Sequence, residues 1–459
     1  MAPRPPRFAW GPRTSCALTN FLCSSIPRGR AACVVAVLTF KKAIMAKMKI
    51  VLAYSGGLDT SVLLKQFALA GHDVVALTAN LGESDMVAGE GYQAALDAVR
   101  EKALKLGAVE AILVDARDRF IENYAYKALA ANARYQGVYP LSAALSRPLI
   151  ADLLVEAAHR TGADAVAHGC TGKGNDQVRI EVGVRARAPH LRCLAPLREK
   201  PLSRPDAIAY AQANGVPISH TVAKPYSVDA NLWGRSIEAG VLEDPWNAPP
   251  EDAYAWTVTP DAAPAGGEEI VIAFERGVPS MNGLRGAAFL AELNTIAGRN
   301  GVGRIDMIED RVVGLKSREV YECPGSVTLI DAHIALERLV LTRDELRMKA
   351  GLDQKYTELI YDGLWSTPLR GGLDAFNEHL ALRMTGEVRL QLQRGRAIVT
   401  GSRSPFALYD EKLATYGAGD RFDHDAATGF IAIWGLPVAA GAAKANEALD
   451  TAAKPLVHS

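Results

Sequence analysis

Two patterns of apolar and polar residues follow one another along this chain, and the change from the first pattern to the second predicts its division into domains. Between Met48 and Val222, short runs of β-branched and apolar residues alternate with longer stretches in which apolar residues recur at helical spacing. Strands connected by helices of this length form a parallel sheet that helices cover on both faces. We therefore expect a doubly wound α/β nucleotide-binding domain over residues 48–222. Its predicted strands are the first half of Met48–Ser61, then Asp73–Ala79, Val109–Val114, Ala163–Ala167 and Val216–Val222, and its predicted helices are the stretch that ends at Gly71, Gly91–Leu106, Arg117–Ala133, Pro148–Thr161 and Pro205–Asn214.

The alternation stops beyond Lys224, where proline, tryptophan and glycine become frequent. Strands in close succession, followed by runs of helix, are typical of an α+β domain. We expect such a domain over residues 223–436, and then an alanine- and lysine-rich tail, 437–459, that can form a helix. Its predicted elements are the strand Glu269–Phe274, hairpins within Gly303–Lys316 and Glu387–Thr400, and the helices Leu284–Gly298, Pro324–Leu339, Thr342–Tyr361 and Thr367–Met384.

A glycine turn joins the first predicted strand to its helix in the stretch MKIVLAYSGGLDTS, Met48–Ser61. Gly56 and Gly57 allow a ligand to approach their backbone N–H groups closely, and the helix that begins there favours an anion at the same point. No lysine follows the glycines, so the G-x-x-x-x-G-K-[ST] loop cannot be fitted. We expect a phosphate site; the alternative is an ordinary strand-turn-helix corner in which Asp59 caps the helix.

A second glycine-rich turn follows the strand Ala163–Ala167 in the stretch HGCTGKGNDQVR, His168–Arg179. Ligands of parallel sheets bind at the carboxyl ends of the strands, where the strand order reverses, so the two turns are expected to share one site. Arg179 can bind a carboxylate through a bidentate fork, and Asp176 can hold an ammonium group. In the alternative interpretation, these two residues pair at i, i+3 on a helix surface.

Composition and charge narrow the class of protein. The chain has 459 residues, more than one core usually holds, and a formal net charge of zero. Residues 1–47 contain eight Lys or Arg and no acid, which leaves 43 basic against 51 acidic residues in the remainder. An acidic body argues against a nucleic-acid partner. Outside residues 1–47, Cys170, Cys193 and Cys323 have neither zinc nor disulfide spacing, as expected for a cytoplasmic protein.

Residues 1–47 do not resemble part of a fold. They are rich in Arg, Pro and Ser, lack helical periodicity and hold Cys16, Cys23 and Cys33. Their apolar run, Ala31–Phe40, is too short to span a bilayer, so no membrane partner is expected. We expect a disordered extension, either an organelle transit peptide or a stretch translated from a start upstream of the true one.

Several segments together resemble one family. The loop AYSGGLDTS has the S-G-G-x-D-[ST] form of the pyrophosphate-binding loop of ATP pyrophosphatases, which cleave ATP between its α and β phosphates. With TANLG, HGCTGKGNDQVR, KPYSVDANLWGRSIEAG, GVGRIDMIEDRVVGLKSREVYE and ELIYDGLW, it resembles argininosuccinate synthase from about Met48 to Leu436. The resemblance implies ATP-dependent ligation of citrulline and aspartate to argininosuccinate through a citrullyl-adenylate, with release of AMP and pyrophosphate. It also implies a homotetramer in which the C-terminal segment packs on neighbouring copies.

The same resemblance implies which residues form the site. Mg²⁺ is expected to accompany ATP, positioned by Asp59; no metal bound by the protein alone is expected, and no residue stands out as a catalytic base. The implied ATP contacts are Ala53, Tyr54, Ser55, Gly56, Gly57, Leu58, Asp59, Thr60, Ser61, Ala79 and Gly169; the implied aspartate contacts are Thr171, Asn175 and Asp176; and the implied citrulline contacts are Tyr139, Asn175, Arg179, Ser227, Ser236, Glu309 and Tyr321.

The chain departs from the family pattern in two places. Many members have Y-L-L-G-T-S before the Arg-Pro dipeptide, whereas this chain has YPLSAA, Tyr139–Ala144, at that place. The serine position is therefore Ala144, and Ser142 or Ser146 is the candidate replacement. The tail contains Pro437 and many alanines, which leaves its packing on neighbouring copies open.

Two other functions fit parts of the pattern. A tRNA-thiolating enzyme of the same class would need reactive cysteines and a basic face, and the body of this chain has neither. A non-catalytic nucleotide-binding module would need only the first domain. It would leave Asp176, Arg179, Glu309 and Tyr321 without a role.

The extension provides the first testable prediction. A variant that begins at Met45 should keep the activity and the Tm of the full chain, because the removed residues lie outside both predicted domains. Activity assays and thermal unfolding of the two proteins check this. A loss of stability above about 1 kcal/mol, the size of an ordinary point-mutation effect, would contradict it.

Overall fold

A computed structural model describes residues 47–83, 91–217, 226–417 and 419–452 of the chain. Residues from Lys47 onward form one compact unit. The predicted extension up to Ala46, with its three cysteines, lies outside the described residues, and so does most of the predicted strand Val216–Val222. Val216 and Pro217 themselves are not in a strand.

A five-stranded parallel sheet with strand order β3-β2-β1-β4-β5 forms the centre of the first half of the chain. Successive residues of β1 face opposite sides: Ile50 and Leu52 contribute to one hydrophobic cluster and Val51 to another. Helices therefore cover both faces, which confirms the doubly wound fold. The strands are β1 (Lys49–Ala53), β2 (Asp73–Asn80), β3 (Glu110–Asp115), β4 (Ala165–Ala167) and β5 (Arg192–Leu194).

The helices of this half follow the prediction, with two corrections. The predicted helix Arg117–Ala133 is interrupted by a π-helical turn, Ile121–Ala125, and ends at Ala130. The helix predicted to begin at Pro148 begins at Ser142 and includes the proline, because its first turn is buried against the core. The helices are α1 (Leu58–Leu69), α2 (Gly91–Leu106), α3 (Arg117–Phe120), α4 (Tyr126–Ala130), α5 (Ser142–Thr161), α6 (Asp176–Arg187), α7 (Pro196–Glu199) and α8 (Arg204–Ala213).

Two four-stranded antiparallel sheets, of order β10-β11-β7-β6 and β13-β12-β8-β9, organise the second half. The predicted turn at Arg394–Gly395 is confirmed, since both residues have positive φ. The hairpin predicted within Gly303–Lys316 is longer, because the chain reverses only at residues 311–315. The strands are β6 (Ser227–Asn231), β7 (Gly234–Glu238), β8 (Glu268–Glu275), β9 (Val278–Ser280), β10 (Arg304–Asp310), β11 (Lys316–Glu322), β12 (Gly386–Gln393) and β13 (Arg396–Arg403).

The helices of the second half cover these sheets and extend beyond them. They are α9 (Gly286–Arg299), α10 (Pro324–Val340), α11 (Arg343–Tyr361), α12 (Pro368–Ala381), α13 (Glu411–Ala414) and α14 (His424–Ala452). The sequence predicted a helix only in the tail, whereas α14 begins before it and continues through Pro437. No described residue of α14 is buried, and this is the one helix in the described ranges that is long and apolar enough to cross a membrane by length and composition.

The tip of the β6–β7 hairpin joins the two halves of the chain. The side chain of Trp233 is fully buried, and its Nε1 donates a hydrogen bond to the carbonyl of Pro140 at 2.8 Å. The backbone N–H of Leu232 donates to the carbonyl of Leu81 at 3.0 Å. Gly82 has a φ of +76°, and a Cβ there would lie 2.5 Å from the Leu232 side chain. The hairpin therefore fits only against a glycine at this end of β2.

Trp233 and Trp246 form a matched pair for testing this junction. Trp233→Ala should lower the free energy of unfolding by about 3–5 kcal/mol, because it leaves a cavity between the two halves. Trp246, which is 94% exposed, serves as the control. Trp246→Ala should change stability by no more than about 0.5 kcal/mol. Urea unfolding of both variants checks the prediction, and equal effects would show that Trp233 does not join the halves.

Candidate functional site

The two glycine-rich turns predicted from the sequence lie side by side. They follow β1 and β4, which are neighbours in the sheet although other strands separate them in the chain. After β1 the chain enters α1 on one face, and after β4 it enters α6 on the other. A Cβ at Gly169 would lie 3.3 Å from Cγ2 of Thr60, so the turns are in contact. This is the switch point at which parallel sheets bind ligands.

The first turn has the features of an anion site. Gly56 has a φ of +75°, which favours glycine, and no side chain caps the start of α1. The first N–H groups of a helix have no partner within it, so this end can bind a phosphate. The hydroxyls of Ser55 and Thr60 lie 3.2 Å apart beside it. The alternative in which Asp59 caps α1 does not occur, because the residue before the helix is Gly57.

Lys102 contributes a cation to this turn that the sequence analysis missed. Its Nζ donates to the carbonyl of Gly56 at 2.8 Å from helix α2. Burial lowers the pKa of the Lys102 ammonium group. The turn thus has a nearby lysine although none follows its glycines. No local pattern indicates it, because the two residues are 46 positions apart.

A cavity of about 110 Å³ lies beside the second turn, and we call it the charged cavity. Both halves of the chain contribute to its walls, and most of its lining side chains are charged or polar. The lining residues are Tyr139, Ala143, Arg147, Gly174, Asn175, Asp176, Arg179, Asp229, Ser236, Glu238, Glu309, Arg311, Glu319 and Tyr321.

Asp176 is paired with two arginines. Its carboxylate accepts hydrogen bonds from Arg179 at 3.1 Å and from Arg147 at 2.8 Å, and Arg147 also donates to Asp229 at 2.5 Å. Desolvation raises the pKa of Asp176, but the two guanidinium groups outweigh it and hold that pKa at about 2. The i, i+3 pair expected in the alternative interpretation is therefore present. Arg147 joins it as a second partner that the sequence analysis did not include.

Arg179 retains one free donor. Its Nε donates to the carbonyl of Tyr361 at 2.9 Å and its Nη1 donates to Asp176, whereas its Nη2 is buried without a partner. An unpaired buried donor is costly, so this atom is suited to a ligand that accepts a hydrogen bond. The bidentate fork expected from the sequence is not free, because Nε is already engaged.

Two acidic side chains of the charged cavity, Glu309 and Glu319, have a raised pKa. Burial raises the pKa of Glu309, against hydrogen bonds donated by the Tyr321 and Tyr361 hydroxyls at 2.9 and 3.0 Å. Burial and the charge of Glu238 raise the pKa of Glu319 to about 7, although Arg311 donates to Glu319 at 2.7 Å. The cavity therefore holds one carboxyl group, that of Glu319, whose pKa lies near neutral pH.

Seven of the amino-acid contacts expected from the resemblance line this cavity. Thr171 and Ser227 are exposed and are not among its lining residues. Neither candidate for the serine missing at Ala144 lines it: Ser142 lies 3.3 Å from the Tyr139 hydroxyl, and Ser146 donates to a backbone carbonyl. The seven lining residues are Tyr139, Asn175, Asp176, Arg179, Ser236, Glu309 and Tyr321.

Five charged lining residues were not predicted. Four of them lie in segments that carried the family resemblance, KPYSVDANLWGRSIEAG and GVGRIDMIEDRVVGLKSREVYE, so the charged residues of those segments were a usable signal. The fifth, Arg147, stands just before the predicted start of the helix at Pro148, and nothing local distinguishes it. The missed residues are Arg147, Asp229, Glu238, Arg311 and Glu319.

Behind the second turn, His168, Glu181 and Cys193 bring metal-ligand atoms within 4.8 Å of one another, and this cluster is satisfied by hydrogen bonds. Nδ1 of His168 accepts from the N–H of Cys170 at 3.2 Å, so its Nε2 carries the proton and donates to Glu181, also at 3.2 Å. Arg198 also donates to Glu181. Burial raises the pKa of the Cys170 and Cys193 thiols to about 12, which keeps them protonated. The cluster therefore fixes the base of the turn.

A doubly wound sheet with an S-G-G-x-D-[ST] turn at its switch point defines an ATP-using enzyme of the pyrophosphatase class. The family model described as the Arginosuccinate synthase N-terminal HUP domain matches residues 49–217, and the Arginosuccinate synthase C-terminal domain matches residues 226–440. The chain belongs to the argininosuccinate synthase family. It is an ATP-dependent carbon–nitrogen ligase of arginine biosynthesis, which joins citrulline and aspartate with release of AMP and pyrophosphate.

Curated relatives carry the same name over nearly their whole length. Argininosuccinate synthase of Geobacillus thermodenitrificans is 54% identical over 396 residues, 86% of this chain and 95% of the relative. That of Halalkalibacterium halodurans is 52% identical over the same shares of both chains. Among solved structures, a 4-thiouridine synthetase–RNA complex with bound ATP covers 37% of this chain and 41% of its own, at 17% identity and a TM-score of 0.28, which is too slight a likeness to carry an argument.

Proposed function

We propose that the reaction takes place between the first glycine turn and the charged cavity. The observation that carries the proposal is the contact between the two turns at Gly169 and Thr60, beside a cavity with a free arginine donor. A phosphate bound at the start of α1 would then lie next to an amino acid bound in the cavity.

Adenylation explains why both ligands must meet. A urea reacts poorly with amines, because its carbonyl is stabilised by resonance and has no good leaving group. The ureido oxygen of citrulline attacks the α phosphorus of ATP, and the bond to pyrophosphate breaks. The amine of aspartate then attacks the activated carbon, loses a proton, and displaces AMP with the former ureido oxygen. Positioning and stabilisation of charge supply most of the rate.

The residues expected from the family resemblance keep their proposed roles. Residues 53–61, Ala79 and Gly169 bind ATP; Thr171, Asn175 and Asp176 bind aspartate; and Tyr139, Asn175 and Arg179 bind citrulline with Ser227, Ser236, Glu309 and Tyr321. The cavity supports these roles for its seven lining members. Arg147 is added as the cation that holds Asp176 and Asp229 together.

Mg²⁺ fits beside the first turn. Asp59 is an exposed carboxylate in the first turn of α1, close in sequence to the paired hydroxyls of Ser55 and Thr60. Proteins commonly hold Mg²⁺ through one or two carboxylates together with substrate phosphates. Bound there, the ion would neutralise charge on the departing pyrophosphate.

A cytoplasmic homotetramer accounts for helix α14. Its apolar side chains Phe430, Ile431 and Trp434 are at least 60% exposed, which is unfavourable for an isolated chain in water. We propose that α14, with the tail from Pro437, packs on neighbouring copies instead of entering a membrane. The proposed domains are residues 48–222 and 223–436, with residues 1–47 as an extension.

Substitution of Arg179 tests whether citrulline binds in the cavity. Arg179→Lys keeps the positive charge but removes the planar guanidinium group. That group bonds Tyr361 and Asp176 and at the same time presents Nη2 as a free donor. We expect the KM for citrulline to rise at least about tenfold, because one charge-assisted hydrogen bond is lost. The KM for ATP should stay unchanged. Steady-state kinetics check this. Equal increases for all three substrates would show a structural role instead.

Isotope transfer tests the adenylate. Citrulline labelled with heavy oxygen in its ureido group should deliver the label to AMP and none to pyrophosphate, because the ureido oxygen bonds to the α phosphorus. Mass spectrometry of the two products measures it. Label in released phosphate would mean that the γ phosphate activates citrulline, and the mechanism would be wrong.

A further inference from the structure

Tyr361 lies behind the wall of the charged cavity, at the C-terminal end of α11, and is not among the lining residues. It is 1% exposed, and it contacts three side chains that do line the cavity: Asn175, Arg179 and Glu309. We propose that Tyr361 is a positioning residue, which fixes these three side chains in the geometry that the amino-acid substrate meets.

The hydrogen bonds of Asn175 determine where the Tyr361 proton points. The backbone N–H of Val312 donates to Oδ1 of Asn175 at 2.8 Å, so the amide nitrogen of Asn175 must be the atom that faces Tyr361. That nitrogen donates to the Tyr361 hydroxyl at 3.0 Å. The single proton of the hydroxyl is then left for Oε1 of Glu309, also at 3.0 Å. The chain of bonds has one direction, from Val312 to Glu309.

Tyr361 also contacts Arg179, through its backbone carbonyl and its ring. The Tyr361 carbonyl accepts from Nε of Arg179 at 2.9 Å, and the guanidinium carbon lies 4.9 Å from the centre of the Tyr361 ring. A cation is stabilised at the C-terminal end of a helix by the exposed carbonyls there. These contacts leave Nη2 of Arg179 as the free donor.

The position of Tyr361 is itself closely determined. Its ring stacks on Tyr135, with centroids 3.5 Å apart and an interplanar angle of 3°. Gly363 has a φ of +75°, and a Cβ there would lie 2.9 Å from Cα of Arg179. The end of α11 can therefore approach α6 only because a glycine follows it. Such a constraint is expected where a side chain orients others and does not merely fill space.

Tyr361→Phe isolates the hydroxyl, because it leaves the ring and the carbonyl in place. The inference rests on the proposal that citrulline binds in the charged cavity. We expect the KM for citrulline to rise about ten- to hundredfold, as for a lost hydrogen bond to a charged group, and the KM for ATP to stay within about twofold of the original.

The pH profile gives a second readout. Burial raises the pKa of Glu309, and the Tyr321 and Tyr361 hydroxyls oppose that rise by donating to its carboxylate. Without the Tyr361 donor the pKa of Glu309 rises further, so the acid limb of kcat/KM for citrulline should move to higher pH. The titratable groups that face Glu309 are Tyr135, Tyr139, Tyr321, Tyr361, Arg179, Arg311 and Glu319.

Tyr356 on the same helix is the matched control. It is also 1% exposed, and its hydroxyl donates to Oδ1 of Asp374 at 2.6 Å, away from the cavity. Tyr356→Phe should lower the Tm about as much as Tyr361→Phe, but leave the KM for citrulline and the acid limb unchanged. Kinetics from pH 5 to 9 and thermal unfolding of both variants measure this, over about the range in which such groups titrate.

Distinct outcomes overturn the two proposals. An unchanged KM for citrulline or an unchanged acid limb in Tyr361→Phe overturns the positioning role, and so does an equal kinetic change in Tyr356→Phe. If Arg179→Lys also leaves the KM for citrulline unchanged, citrulline does not bind in the cavity and the proposed site itself fails. A raised KM in Arg179→Lys with none in Tyr361→Phe rejects the positioning role alone.

Discussion

The reversal of strand order between β1 and β4 is the constraint on which the site depends. The chain leaves these adjacent strands toward opposite faces of the sheet, so neither connection covers their carboxyl ends. Both turns must then fit into a narrow space. A Cβ at Gly56 would lie 3.0 Å from Val99, and one at Gly169 would lie 3.3 Å from Thr60. The glycines therefore allow both turns to pack closely at this end of the sheet.

The second half of the chain matters because it supplies part of the wall of the charged cavity. The buried tip of the β6–β7 hairpin fixes that half against Leu81 and Pro140, which places Asp229 and Ser236 of the same hairpin at the cavity. Charged groups that lose water need partners, and the partners here come from across the junction: Arg147 of the first half bonds Asp229 of the second. Packing at the hairpin and pairing of charges therefore specify the same placement of the second half of the chain against the first.

Most of the fold was predictable because its cores follow simple periods. Short apolar runs and helical spacing identified the parallel sheet, and glycines marked both turns. The errors came where distant contacts override local rules: Pro148 lies inside α5 because residues such as Leu145 and Leu149 are buried there. Arg147 and Lys102 were missed for the same reason. Arg147 pairs with Asp176, 29 positions away, and Lys102 bonds Gly56, 46 positions away. No local pattern in the sequence indicates such pairs.

The charge of the cavity indicates what kind of ligand completes it. Three arginines (Arg147, Arg179 and Arg311) line it against five carboxyl groups (Asp176, Asp229, Glu238, Glu309 and Glu319), so the acids are in excess. Burial and neighbouring acid raise the pKa of Glu319 to about 7, so this carboxyl group can take up a proton near neutral pH. A zwitterionic amino acid carries both a positive group and hydrogen-bond acceptors. Its ammonium group can replace such a proton, and its acceptor oxygens can bind the unpaired Nη2 of Arg179. A purely anionic ligand would add to the excess. We therefore propose the charged cavity for an amino acid and the uncapped end of α1 for the phosphates of ATP.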